Sequence, residues 1–393
     1  MSSRIKKRKP ESQANSDQET ALARQELETF GTVLDKTPGA LNEGEKWWCE
    51  RYQWLKDCGY ILRSRYAPDW VPSWHGTDKN SQVCVDGVIP RYNHLMDAIR
   101  ISDGTDVILK SIKKSRHPFE AEIGKFFTSE PLMSDPANHC VPIFEVLSVP
   151  ENDDRIILVM PMLRAYSDPR FDTVGEVVDC IHQLFEGLRF MHSHHVAHRD
   201  CMKLNILMDA TSLYPESFNP WRSRWTRDLK GYAKHLTRTR RPPKYYFIDF
   251  GISRRYSPSD SNPREPPIRG GDRSVPEFQG SDEPQNPFPT DVYYLGNVLR
   301  EDFIQSKMGL SFLDGLVADM VQGDPSKRPA MNEVVVRFEG ICKGLSSWKL
   351  RSRVADKNEG IRSRLIRDAG HWTRRLISIA RGHPPVPKLK PSL

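Results

Sequence analysis

One polar string constrains this 393-residue chain more than anything else in it. His198-Arg199-Asp200-Cys201-Met202-Lys203-Leu204-Asn205 puts an imidazole, a guanidinium, a carboxylate and an amide within one short stretch. Asp249-Phe250-Gly251 follows, with Asp249 lying 44 positions after Asn205. Val196-Ala197 leads into the first string, Ile206-Leu207-Met208 leaves it, and Tyr245-Tyr246-Phe247-Ile248 leads into the second. Short apolar runs bounded by polar residues predict small buried strands. Polar groups between such strands stand on rigid supports, which chemistry at a transition state requires. Gly251 allows the backbone a sharp turn after Asp249.

Hydrophobic content of 38% and charged content of 28% fit a soluble globular chain with polar extensions. The length suits one two-lobed domain with tails, or two ordinary domains. No apolar run approaches the roughly 18 residues of a membrane span. The opening Met1-Ser2-Ser3-Arg4-Ile5-Lys6-Lys7 has no apolar signal-peptide core. Seven cysteines, scattered without metal-ligand spacing, suggest a reducing compartment, cytoplasmic or nuclear, rather than a disulfide framework. The net charge of +7 is unevenly spread: residues 212–244 sum to +7, residues 343–393 to +10, and the remainder is acidic. Such basic segments suit an anionic partner, nucleic acid or a membrane surface, or are simply solvated extensions.

Composition divides the chain further. Residues 1–40 are polar and predict a disordered basic tail, with five basic residues in positions 4–9 as a possible nuclear-localisation patch. Residues 41–80 form an aromatic-rich extension holding Trp47, Trp48, Tyr52, Trp54, Tyr60, Tyr66, Trp70 and Trp74, with a helix expected over 43–57. Residues 81–342 read as the main domain, its sheet-rich part at about 81–163 and its helical part at about 164–342. Within it, a helix is expected over 118–128 and a long amphipathic one over 175–195. Residues 212–244, basic and Pro-interrupted, read as a surface insertion dispensable for folding. Residues 343–393 form a basic tail. In it Ile361, Leu365, Trp372, Leu376 and Ile379 predict an apolar stripe along a helix over 359–381, docked on the body of the protein or on an anionic partner.

The two strings have the form H-R-D-x-x-x-x-N and D-F-G, which resemble the catalytic loop and metal-binding motif of protein kinases. Val107-Ile108-Leu109-Lys110 resembles the lysine strand of that family, Val275-Pro276-Glu277 the end of its activation segment, and Asp324-Pro325-Ser326-Lys327-Arg328-Pro329 its D-P-x-x-R-P phrase. The matches cover residues 107–330. Residues 135–142 and 244–251 are similar in wording to kinase-like proteins of mushroom-forming fungi. The resemblance implies an α+β, two-lobed fold, with a small sheet-rich N-lobe and a mainly helical C-lobe. It also implies ATP- and Mg²⁺-dependent transfer of phosphate to a protein substrate, of the Ser/Thr type. Asp200 would take or orient the proton of the attacking hydroxyl, and Asn205 and Asp249 would hold Mg²⁺, whose preference is for hard oxygens and retained water. Lys110 would anchor phosphate with Glu122, or alternatively Glu120, as its helix partner. Met160, Pro161 and Leu163 would contact adenine, Pro161 through its carbonyl and Leu163 through its N–H. Phe126, Phe250 and His198 would stack, Glu277 and Arg328 would pair, and Asp291 would brace the loop. A phosphorylated serine in the activation segment, residues 249–277, would pair with Arg199.

The chain departs from the family in three ways. No G-x-G-x-x-G precedes Lys110, and the segment 86–106 offers only Gly87 and Gly104. Met202 stands two places after Asp200, where the family has a catalytic lysine, and Lys203 follows one place later as the candidate for that role. The gap between Asn205 and Asp249 is much longer than the family's. A pseudokinase, binding nucleotide or partners without catalysis, is therefore the alternative function.

Overall fold

The computed structural model describes residues 39–268 and 271–388. The tail over 1–38 and the basic cluster at 4–9 lie outside the described residues. Two compact units emerge. The first runs up to Lys110 and also takes in Glu216–Lys234; the second comprises Ser111–Pro215 and the chain from His235 on.

In the first unit, α1 (Glu43–Cys49) starts at a capping box in which Asn42 and Glu45 bond each other's backbone N–H. A break at Glu50 and Arg51 separates it from α2 (Tyr52–Asp57), so the expected single helix is two. Strand β1 (Tyr60–Leu62) pairs antiparallel with β2 (Leu95–Arg100), with Tyr60 opposite Arg100. Strand β2 pairs antiparallel with β3 (Asp106–Lys113) through a turn at Gly104, where φ is +71°. The aromatic extension is thus part of the sheet, because its own residues form β1. The long connection from β1 to β2 is held by polar anchors. Arg65 bonds the Glu45 carboxylate through two nitrogens, and both side chains are buried. Asp86 accepts from Trp70 and from the Ser73 backbone and hydroxyl.

Residues 216–234 are built into this unit. Trp225 and Leu229 bury against Val88, with Trp221 packed beside them. Trp221 donates to Asp97 at 2.6 Å, Arg222 binds both oxygens of Gln82, and Arg227 pairs with Asp106. The segment expected as a surface insertion is, over residues 216–234, packed into the unit. Its tryptophans and arginines find their partners in residues more than a hundred positions upstream, which local composition cannot reveal.

The second unit begins with α3 (Glu120–Thr128) and the antiparallel hairpin of β4 (Glu145–Ser148) and β5 (Arg155–Pro161). Ile112, Ile143, Ile156 and Leu158 form one core cluster there. Strand β6 (Arg164–Ala165) precedes α4 (Val174–Ser193), a largely buried helix capped by the Thr173 side chain. Then come β7 (Val196–Ala197), β8 (Ile206–Met208), β9 (Tyr245–Phe247) and β10 (Arg254–Arg255). The order β6-β8-β9 makes one small antiparallel sheet, and β7 pairs with β10. All the short strands expected around the two polar strings are present. Helices α5 (Pro287–Leu299), α6 (Asp314–Met320), α7 (Met331–Lys343), the single turn α8 (Ser347–Leu350) and α9 (Ile361–Ala380) complete the unit. The class is mixed α+β, antiparallel strands first and helices later.

Helix α9 docks with an unexpected face. Ile361, Leu365, Trp372, Leu376 and Ile379 are all exposed, while His371 and Arg375 are buried. The contact is polar: Arg374 forks onto Asp172 at 2.8 Å through two nitrogens, His371 meets Asp172 at 3.2 Å, and Arg353 binds Asp368. A charge-assisted fork decides the rotation of the helix about its axis. On a 3.6-residue repeat the apolar stripe then lies about a quarter-turn away from the docked face.

Candidate active site

The loop between β7 and β8 is pinned from beneath. Asp291 on α5 is fully buried, and its two carboxylate oxygens accept the backbone N–H groups of His198 and Arg199, each at 2.7 Å. The His198 ring reaches Ile248 O at 3.0 Å, and the Ser253 hydroxyl donates to His198 O at 2.9 Å. Arg199 and Asp249 take positive φ, +68° and +65°. Two non-glycine residues in the left-handed region, side by side with a braced loop, mark stored backbone strain of the kind that collects at working sites.

Asp200 and Asn205 meet directly. Asn205 Nδ2 donates to Asp200 Oδ2 at 2.8 Å and to Asp200 O at 3.0 Å. That donation turns the amide oxygen of Asn205 away from Asp200. Asn205 and Asp249 carry hard oxygens of the kind that would suit a divalent cation completing its shell with water or phosphate. Burial pushes the Asp200 carboxyl upward, and the charges of Asp249 and Asp291 add to the rise, against the lowering effect of His198 and the Asn205 hydrogen bond. The chain after Asp249 returns close by: a side chain on Gly271, whose φ is +66°, would fall 2.4 Å from Asp200 Oδ1. Only glycine lets the backbone approach the carboxylate so closely.

The remaining expected residues divide. Phe250 is buried and packs against His198, with centroids 5.7 Å apart. Its other neighbour is Phe127 at 6.2 Å, not the expected Phe126, which packs beside His194 and under Arg255. Glu122 is exposed, whereas Glu120, its alternative, is buried. The buried positions of α3 are 120, 123, 124 and 127, a strict helical face, and Glu122 lies on the opposite side. Lys203 binds Asp302 at 2.8 Å and makes no ion pair with Asp200 among the described residues. Its charge is committed to the segment after α5. Lys110 is buried on β3 opposite Leu95, in the first unit. Met160 and Pro161 end β5, and Leu163 follows two residues later, all half-buried. Glu277 and Arg328 form the expected buried pair, with two contacts at 2.8 and 2.6 Å, and Thr290 donates to the same carboxylate. Burial alone would raise the Glu277 carboxyl, but Arg328 holds it below the usual range.

Two contacts to this loop escaped the sequence. Asp302 receives both Lys203 and the Tyr166 hydroxyl. Glu265 sits 3.0 Å from Arg199, which also donates to Ile252 O and Pro266 O. A carboxylate thus already fills the place where a phosphoserine was expected, and Ser253 is buried. Glu265 lies 66 positions from Arg199 with no fixed spacing to signal it. Replacing Glu265 by Gln leaves a mostly buried guanidinium without its counter-charge. The Glu265→Gln protein should melt several degrees lower, whereas phosphatase treatment of the wild-type protein should leave its melting temperature unchanged; differential scanning calorimetry reads both.

No curated protein matches this sequence. The family model described as protein kinase domain matches residues 91–268. That span holds Lys110, Met160, Pro161, Leu163, Asp200, Lys203, Asn205 and Asp249, and the mixed α+β fold agrees with it. Glu277, Asp291 and Arg328 lie beyond it, so their assignment rests on geometry alone. From residue 91 to residue 268, this chain is similar to the protein kinase domain.

Proposed function

We propose that this chain is an ATP-dependent protein kinase that transfers the γ-phosphate to a protein hydroxyl of the Ser/Thr type. The observation that carries the reading is the braced loop: Asp291 fixes the His198 and Arg199 backbone, and Asn205 fixes Asp200. Phosphoryl transfer depends mainly on positioning and charge placement, which this arrangement supplies. Asp200 accepts the proton of the attacking hydroxyl, and burial raises its pKa in the direction that helps a general base. Asn205 and Asp249 would hold Mg²⁺, which would supply neutralisation of phosphate charge. Lys110 anchors phosphate, and Met160, Pro161 and Leu163 contact the base. Of the two candidate carboxylates on α3, Glu120 is buried and Glu122 is exposed. Lys203 is a positioning residue that ties the catalytic loop to Asp302. The seven free thiols suit a reducing compartment, cytoplasmic or nuclear.

One observation favours the pseudokinase reading. The connection between β1 and β2 is not a glycine-rich loop but a folded segment containing only Gly76 and Gly87. The two readings separate in one assay. Labelled γ-phosphate transfer to a generic protein substrate is measured for the full chain and for Asp249→Asn. A kinase transfers phosphate in the first case, and loses at least about a hundredfold in the second, when a charged ligand becomes neutral at constant volume. Nucleotide binding without transfer in either protein would establish the binding module instead.

A further inference from the structure

A cavity of about 340 Å³ lies among the start of α4, residues 235–240 and the second half of α9, entirely within the second unit. Five arginines line it: Arg240, Arg351, Arg374, Arg375 and Arg381. Arg374 is matched by Asp172, the single acidic residue of the lining. The other four make no ion pair among the described residues. His235, His371 and His383 add imidazoles, and Thr237 adds a hydroxyl.

Arg375 is the most telling of the set. Only 6% of it is exposed, and its Nε has no hydrogen-bond partner among the described residues. Its guanidinium lies over the Trp348 ring at 3.7 Å and the Trp372 ring at 4.8 Å, and its remaining contact is a long one, 3.4 Å, to Trp348 O. Burial and the like charge of Arg351 both act against its protonated form. A buried guanidinium with an unused donor, beside three further unmatched arginines, is an electrostatic demand for an anion.

We propose that this cavity binds a multiply charged phosphate-bearing anion. Arginine forks suit phosphate oxygens, with several donors per group. A cavity of this size sits at the lower end of small-ligand sites and suits one or two phosphate groups rather than a nucleotide. The anion comes from solution or from a lipid headgroup. The exposed stripe of Ile361, Leu365, Trp372, Leu376 and Ile379 lies on the same helix and is of the kind that rests on a lipid surface.

The test uses the full chain, with inorganic phosphate and inorganic pyrophosphate as probes against sodium chloride of equal ionic strength. Binding is read by tryptophan fluorescence, since Trp348 and Trp372 touch Arg375, and by the melting temperature. Both phosphate probes should saturate, change the fluorescence and raise the melting temperature, while chloride should not. The Arg240→Gln/Arg381→Gln protein, altered at two exposed side chains, should keep its basal melting temperature and bind at least about tenfold more weakly, the loss expected for charge-assisted bonds. Arg362→Gln/Arg364→Gln, on the same helix but outside the cavity, removes equal charge and should bind like the wild type. Equal weakening in both variants, or no response beyond that to chloride, overturns the site. Sedimentation with vesicles then assigns the source. Retention on vesicles carrying phosphoinositide, but not on those carrying only phosphatidylserine, identifies a headgroup, and binding of the soluble probes without retention identifies a free anion.

Discussion

Asp200→Asn should lower phosphate transfer by roughly a hundredfold to ten-thousandfold, the range for losing a positioned general base. The substitution is nearly isosteric. Asn205 Nδ2 still finds an oxygen at the Oδ2 position, and the Asp291 contacts to the loop backbone are untouched. The melting temperature should therefore hold or rise slightly. The sign follows from linkage: burial raises the folded-state pKa of Asp200 above its unfolded value, so ionising it costs stability as pH rises through the folded pKa. Asparagine removes that cost at neutral pH. The rate of the wild-type protein should fall as pH drops through the same raised pKa, and the residual rate of the variant should lack this acid limb. A pH–rate profile beside a thermal melt measures all three. Wild-type transfer by the variant, or an unchanged acid limb, would remove Asp200 from the chemistry.

Arg238→Met should destabilise the second unit by about 3–5 kcal/mol, because several buried groups lose their donor together. Arg238 is 2% exposed and donates to the Tyr245 hydroxyl at 2.6 Å, to Tyr166 O at 2.9 Å, to Pro169 O at 2.5 Å and to Met208 Sδ. It also lies 4.2 Å over the Phe171 ring. Methionine keeps much of the volume but offers none of these hydrogens. On the scale of a unit this size the loss corresponds to a drop of roughly ten degrees in melting temperature. Calorimetry on the full chain reads it. A drop of a degree or less would show that the segment around Arg238 is peripheral after all.

The polar strings were legible because chemistry fixes both residue type and order there. Asp200, Asn205 and Asp249 stand between short strands as expected, and Asp291, Glu277 and Arg328 meet their expected partners. Glu120 was also within reach of the sequence. Positions 120, 123, 124 and 127 form one helical face, which turns Glu120 inward and Glu122 outward. Asp302 and Glu265 were not within reach, since each is joined to the loop over 198–205 only through the fold.

The sequence by itself determined the α+β class, the small strands around the catalytic loop and the helices over 120–128, 174–193 and 361–380. Local periodicity and near-neighbour chemistry suffice for these. Tertiary structure alone decided what residues 212–244 are. Their basic, Pro-broken composition reads as loop, yet Trp221, Trp225 and Arg238 are held by residues far away in sequence. It also decided which face of α9 turns inward. A hydrophobic stripe predicts burial only when nothing stronger competes, and here a two-pronged arginine contact to Asp172, together with a buried histidine, outweighs it and leaves the stripe exposed.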